Sequence, residues 1–257
     1  MDRSSTVMAP PRPEESPAGG LRATLHRLSS AQKGAAGAPA YSRFVNRRLG
    51  RLFAALAFHA GLTPNAVTAL SATCTAAGIA LVATTSPSVP MGLAVAACLV
   101  LGYALDAADG QLARLRGGGS PAGEWLDHMV DAAKASGLHV GVAIGLYRFA
   151  DVDAVVLLVP LGYAVVDAVT YFATMLNEAL RAQHGVATRA APTAGPVGIG
   201  RSLMTLPTDY GLLACAFVLF GWTWLFVPLY VVLFLAAAGF LLLASVKWFR
   251  EMDRLPR

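Results

Sequence analysis

The 257-residue sequence predicts an all-α polytopic membrane bundle of about six transmembrane helices, led in by an interfacial amphipathic helix. Three observations predict it. The chain is 56% hydrophobic and only 14% charged, with a mean hydropathy of +0.56, outside the usual soluble range. Apolar stretches recur between residues 65 and 249, most of them near the roughly 20 residues that a bilayer crossing needs. The basic residues collect at alternate ends of those stretches, as membrane topology requires.

Residues 1–40 are rich in Ala, Pro, Ser and Gly and lack the apolar core of a secretory signal, so a mostly disordered cytoplasmic tail is expected there. From Tyr41 the pattern changes. Phe44, Leu49, Leu52, Phe53, Leu56 and Phe58 alternate with Arg43, Arg47, Arg48 and Arg51, which reads as an amphipathic helix over 41–62 lying at the lipid surface. Thr63 and Pro64 supply an N-cap and a first-turn proline for the opening span. A membrane domain over 63–250 then holds candidate helices at 65–85, 89–114, 123–147, 153–180, 208–225 and 226–249. The second and third are amphiphilic at one end. The last two are divided by little more than Gly221 to Trp224, with Pro228 just beyond. Residues 251–257 form a short terminal tail.

With the amino terminus inside, the inner segments carry Arg43, Arg47, Arg48, Arg51, Arg114, Arg116, Arg181, Arg189, Arg201, Lys247, Arg250, Arg254 and Arg257. The outer segments keep Arg148. That asymmetry places both termini on the cytoplasmic side of a cell membrane. The net charge of +5 follows from the same residues, which flank apolar spans and meet anionic lipid headgroups, so it does not signify nucleic-acid binding. Cys74, Cys98 and Cys215 are isolated within spans and lack metal or disulfide spacing.

Function is concentrated in residues 106–131. Met91 to Leu105 carries no charge, yet Asp106 and Asp109 follow directly, one short turn apart. Asp127 and Asp131 lie one full turn apart on the next helix. Gly117, Gly118, Gly119, Ser120 and Pro121 form a strong breaker between them, folding the two helices back on each other. At about 1.5 Å per residue, Asp109 and Asp127 lie roughly 6–8 Å from the turn, and Asp106 and Asp131 roughly 12 Å. Four carboxylates at matched depth repel one another, and each costs about 3 kcal/mol deep in a membrane helix. They call for a cation. An all-oxygen donor set points to Mg2+ or Mn2+, with room for two ions, held by Asp106, Asp109, Asp127 and Asp131. Gly110 and Gly123 lack a Cβ, and Ala113 is small, so a ligand gains close access to the backbone. Arg114 stands where it can pair with an anion at the mouth.

The spacing D-x-x-D-G-x-x-A-R-x(8)-G-x-x-x-D-x-x-x-D is met without exception from Asp106 to Asp131, and this part of the chain resembles the CDP-alcohol phosphotransferase family of membrane enzymes. The looser resemblance runs over residues 41–250. It implies a metal-dependent transfer of a substituted phosphate from a CDP-alcohol, with CDP-diacylglycerol as the expected donor, to a hydroxyl acceptor. CMP would be released and a phospholipid or its precursor formed. It implies further that the nucleotide lies across the hairpin against Asp106, Gly110, Ala113, Arg114 and Gly123. Asp131, the last motif position, would take the acceptor's proton while touching metal. A homodimer is also implied.

Plainer readings stand beside these. Gly110 and Gly123 also suit close helix packing, and Arg114 also suits a topology anchor. His128 faces elsewhere on the helix than Asp127 and reads best as structural, with a role in holding nucleotide or acceptor as the alternative. Lys134, two turns beyond Asp127, either compensates the carboxylates or binds an anionic acceptor. Asp167 is an acid inside a span, with either a functional or a hydrogen-bonding role. Arg201, in the Gly195 to Arg201 run of a cytoplasmic loop, is the other candidate acceptor contact, or else an anchor. Two competing functions, a cation- or proton-coupled transporter and an inactive CDP-lipid-binding relative, are weighed against the enzyme. A transport path needs polar groups spread through several spans, whereas most acids here cluster at one edge.

Overall fold

A computed structural model describes residues 20–30, 39–187 and 208–256. Helix α1 spans Leu21–Ser30. A π-helical turn, Ser42–Asn46, runs into α2, Arg47–His59. Helices α3, α4, α5 and α6 follow as Pro64–Thr84, Val89–Leu115, Pro121–Phe149 and Leu158–Gln183, the last entered through a 3-10 turn at Ala154–Leu157. Helix α7, Tyr210–Ala216, continues as a 3-10 turn, Phe217–Gly221, and α8 spans Thr223–Asp253. Among the described residues there is no strand.

The expected caps are where physical chemistry puts them. Thr63 accepts the Ala66 N–H at 3.2 Å ahead of Pro64 in α3. Ser120 accepts the Gly123 N–H at 3.0 Å, so α5 begins at Pro121, two residues before the expected start. Gly117 and Gly118, with φ of 92° and 129°, reverse the chain between α4 and α5 in a conformation that side chains resist.

Four of the helices, within Pro64–Thr84, Val89–Leu115, Ala154–Gln183 and Thr223–Asp253, are long and apolar enough to cross a bilayer. Helix α5 has the length, about 43 Å at the standard rise, but its acidic end lowers its hydropathy. The expected fifth span, 208–225, is corrected. Its described part is a short apolar helical stretch, Tyr210–Gly221, and the break falls at Trp222. Pro228 does not open a new helix but lies inside α8, early enough that little of the hydrogen-bond ladder is lost.

Within the tail expected to be mostly disordered, one described segment is ordered. Leu21–Ser30 is helical and docks on α2, with Leu28 only 2% exposed among Ala54, Ala55, Val67, Ala108 and Leu112. Thr24 Oγ1 lies 3.2 Å from His59 Nε2. Leu21, Leu25 and Leu28 supply a narrow apolar stripe that low overall hydrophobicity conceals.

Helix α2 keeps Phe44, Leu52 and Leu56 of its segment exposed and turns its alanines inward. It lies hard against α4. A Cβ on Gly50 would come within 2.8 Å of Ala107 Cβ, and Gln111 of α4 extends its amide towards the Arg47 carbonyl, 3.4 Å away.

Within the bundle, α3 is gripped between α4 and α5 through small residues. A Cβ on Gly141 would sit 3.2 Å from the Ile79 carbonyl, and one on Gly102 would strike the Thr75 hydroxyl. Ser71 then donates to the Gly102 carbonyl at 2.8 Å. Gly102→Val is expected to destabilise the protein by roughly 1–3 kcal/mol through overpacking, measured as a lowered unfolding temperature in detergent. Farther from the hairpin turn, His139 is fully buried and bonds Tyr230 of α8 through Nδ1 and Asp167 of α6 through Nε2, at 2.9 Å for the latter. Its ring stacks on Tyr163 at 3.9 Å. Asp167 thus pairs within the bundle, and α5, α6 and α8 are joined at one polar point.

Candidate active site

The turn between α4 and α5 brings both acidic pairs to one end of the bundle. Asp109 is 5% exposed, and its Oδ2 accepts the Thr68 hydroxyl at 2.6 Å, which ties α4 to α3. Its Oδ1 accepts the Gly110 N–H. Asp109 lies in electrostatic range of Asp127 and Asp106.

Asp106 and Asp131 face each other at the deeper level. Lys134 joins them, its Nζ meeting Asp106 Oδ1, Asp131 Oδ1 at 3.3 Å and Ser71 Oγ at 3.0 Å. The pairing of levels inferred from helical rise is the one the structure adopts. Asp127, His128 and Asp131 each offer a ligand atom within 4.8 Å of the others. His128 therefore does not face away from Asp127, as its adjacency in sequence suggested. Its flexible side chain turns back along α5, with Nε2 3.9 Å from Glu124. The ensemble is carboxylate-rich and largely shielded from water, with one ammonium against four acids. This donor set fits a hard divalent cation.

At Gly110 a built Cβ would meet only the flexible Arg114 guanidinium, Nη1 at 3.4 Å. A ligand can reach the backbone there. Gly123 differs: a Cβ would come 2.9 Å from Asn65 Oδ1, so α5 packs closely on the start of α3 there. Ala113 borders the turn, its Cβ 3.9 Å from where a Gly119 side chain would begin. Arg114 curls back towards Gly110 and Asp109, its Nε buried without a hydrogen-bond partner. Lys134, for which an anionic acceptor was one expected partner, is enclosed by the acids and Ser71 instead. Arg201 and its loop lie outside the described residues.

Three contributors escaped sequence reasoning. Thr68 and Ser71 stand one turn apart on α3 and reach Asp109 and Lys134, and with Thr75 they form a hydroxyl stripe at helical spacing that could have been read. Tyr171 of α6 donates to the His128 carbonyl at 2.8 Å and lies in electrostatic range of Asp131, Asp127 and Asp106. Its position one turn after Asp167 was the available signal.

A family model for CDP-alcohol phosphatidyltransferases matches residues 61–248. The chain is also similar to the crystal structure of Mycobacterium tuberculosis phosphatidylinositol phosphate synthase in complex with manganese and citrate. The two are 20% identical, with a TM-score of 0.47 over 82% of this chain and 90% of that chain. No curated protein matches at a significant level. With the family model spanning the greater part of a helical membrane chain, the protein belongs to the metal-dependent CDP-alcohol phosphatidyltransferase family, transferases that move a substituted phosphate from a CDP-alcohol in phospholipid synthesis.

Proposed function

We propose that the protein transfers a phosphatidyl group from CDP-diacylglycerol to a hydroxyl acceptor, releasing CMP. The observation that carries this reading is the gathering of Asp106, Asp109, Asp127 and Asp131 at one end of the α4–α5 hairpin. Those four side chains would hold Mg2+ or Mn2+, two ions in all. When bound, the metal neutralises pyrophosphate oxygens and makes the phosphorus electrophilic. The chain's own residues do the rest. Asp106, Gly110, Ala113, Arg114 and Gly123 border the nucleotide, and Arg114, with its unpartnered buried Nε, meets phosphate. Asp131 accepts the acceptor's hydroxyl proton as that oxygen bonds to phosphorus and the bond to the CMP oxygen breaks. The family resemblance supports this role, and so does a side chain that is 30% exposed beside Lys134. Arg201 is the acceptor contact.

The lopsided distribution of arginines supports a cell-membrane enzyme with both termini and the acidic hairpin on the cytoplasmic side, where nucleotide-activated substrates are found. A homodimer rests on the family resemblance. The test is incubation of the purified protein with labelled CDP-diacylglycerol and a panel of alcohols, including inositol phosphate, glycerol phosphate and serine. One acceptor is expected to yield a labelled phospholipid with stoichiometric CMP. Failure to form lipid with every acceptor, while CDP-lipid still binds, would overturn the reading in favour of an inactive relative.

A further inference from the structure

The ammonium of Lys134 is placed as a cation would be. Its side chain is 12% exposed, and Nζ is surrounded by Asp106 Oδ1, Asp131 Oδ1 and Ser71 Oγ. A lysine ammonium has three N–H donors, and each has an oxygen to meet. Ser71 passes its own proton to the Gly102 carbonyl, so its oxygen faces Lys134 as an acceptor. No donor of Lys134 is left over for an acceptor molecule. The ligands are those a hard divalent ion would also select, and Asp106 and Asp131 belong to the acidic set on which the metal-dependent reading rests.

We propose that Lys134 is a resident counterion that competes with a divalent cation for the deeper Asp106–Asp131 pair, so that the site loads its two ions unequally. The inference rests on the metal-binding function proposed above. Its basis is charge. Four carboxylates, the Lys134 ammonium and the Arg114 guanidinium beside Asp109 leave a net charge of −2 in surroundings of low dielectric. One divalent ion at the outer set of Asp109 and Asp127 brings this to zero. A second ion at the deeper pair would face a fixed positive charge at hydrogen-bond distance from the same oxygens, so Lys134 must withdraw before that ion is seated. The anionic pyrophosphate of the donor relieves the excess, so the second ion enters with substrate. Before ions arrive, Lys134 keeps Asp106 and Asp131 from driving α4 and α5 apart.

The test is Mn2+ binding to the purified full-length protein in detergent, followed by electron paramagnetic resonance without substrate. The wild type is expected to bind one ion tightly and a second at least about tenfold more weakly, within the usual span of coupling between sites. Lys134→Met, which keeps the stem and removes the charge, is expected to close that gap, whereas Lys134→Arg retains it. Identical stoichiometry and affinities in wild type and Lys134→Met would overturn the inference. Absence of Mn2+ binding to either protein would instead overturn the metal-site reading itself. Should Lys134→Met not fold, the wild type alone decides. Adding Mg2+ at high concentration should raise labelling of Lys134 by an amine-modifying reagent relative to Lys33 and Lys247, and unchanged labelling would reject displacement.

Discussion

Asp131→Asn is expected to lower turnover by at least ~100-fold, the scale of losing a general base, while CDP-lipid binding persists. The substitution keeps the shape of the side chain and its place on α5, but an amide cannot take the proton of the attacking hydroxyl. Lys134 would retain Asp106 and Ser71 as partners, so the α4–α5 contact would survive. The measurement is CMP release against donor binding by the same preparation. Near-normal turnover would remove Asp131 from the mechanism. Loss of donor binding equal to loss of turnover would assign it to binding alone.

Chelation is expected to have the other large effect. EDTA should abolish CMP release, and Mg2+ or Mn2+ in excess should restore it. Asp109 shows why no protein group would substitute. It is buried at 5% exposure, and its oxygens receive the neutral Thr68 hydroxyl and Gly110 N–H. Donors of that kind orient a carboxylate without neutralising a bound pyrophosphate. Full activity in chelator would rule out the metal mechanism.

The hairpin was readable because charge inside an apolar run is costly, so four aspartates at fixed spacing stand out against Met91 to Leu105. Helical rise then matched Asp106 with Asp131 correctly. What escaped is what depends on tertiary packing. The choice of Lys134 between compensating acids and meeting an acceptor rests on Ser71, from a helix some sixty residues earlier. Tyr171 reaches the His128 carbonyl through the packing of α6 on α5, of which its place one turn after Asp167 was the only local sign. The two motif glycines differ in the neighbour each one meets, the Arg114 guanidinium at Gly110 and Asn65 at Gly123, which their shared place in the motif does not encode. The fifth span was overextended because Tyr210–Gly221 and α8 are both apolar, and hydropathy does not register the break at Trp222. Helix α1 was missed because its apolar stripe is narrow and its residues are otherwise those of a linker.

The contact between α2 and α4 has a consequence for how a lipid substrate is met. Gly50 lets α2 rest directly on Ala107, between the two aspartates of α4, and on Gln111, just beyond them, while Phe44, Leu52 and Leu56 are exposed. We propose that α2, lying at the lipid surface as its pattern of arginines and apolar residues suggests, acts as a depth gauge. It would set the height of the four carboxylates against the headgroups, level with the diphosphate of a lipid donor.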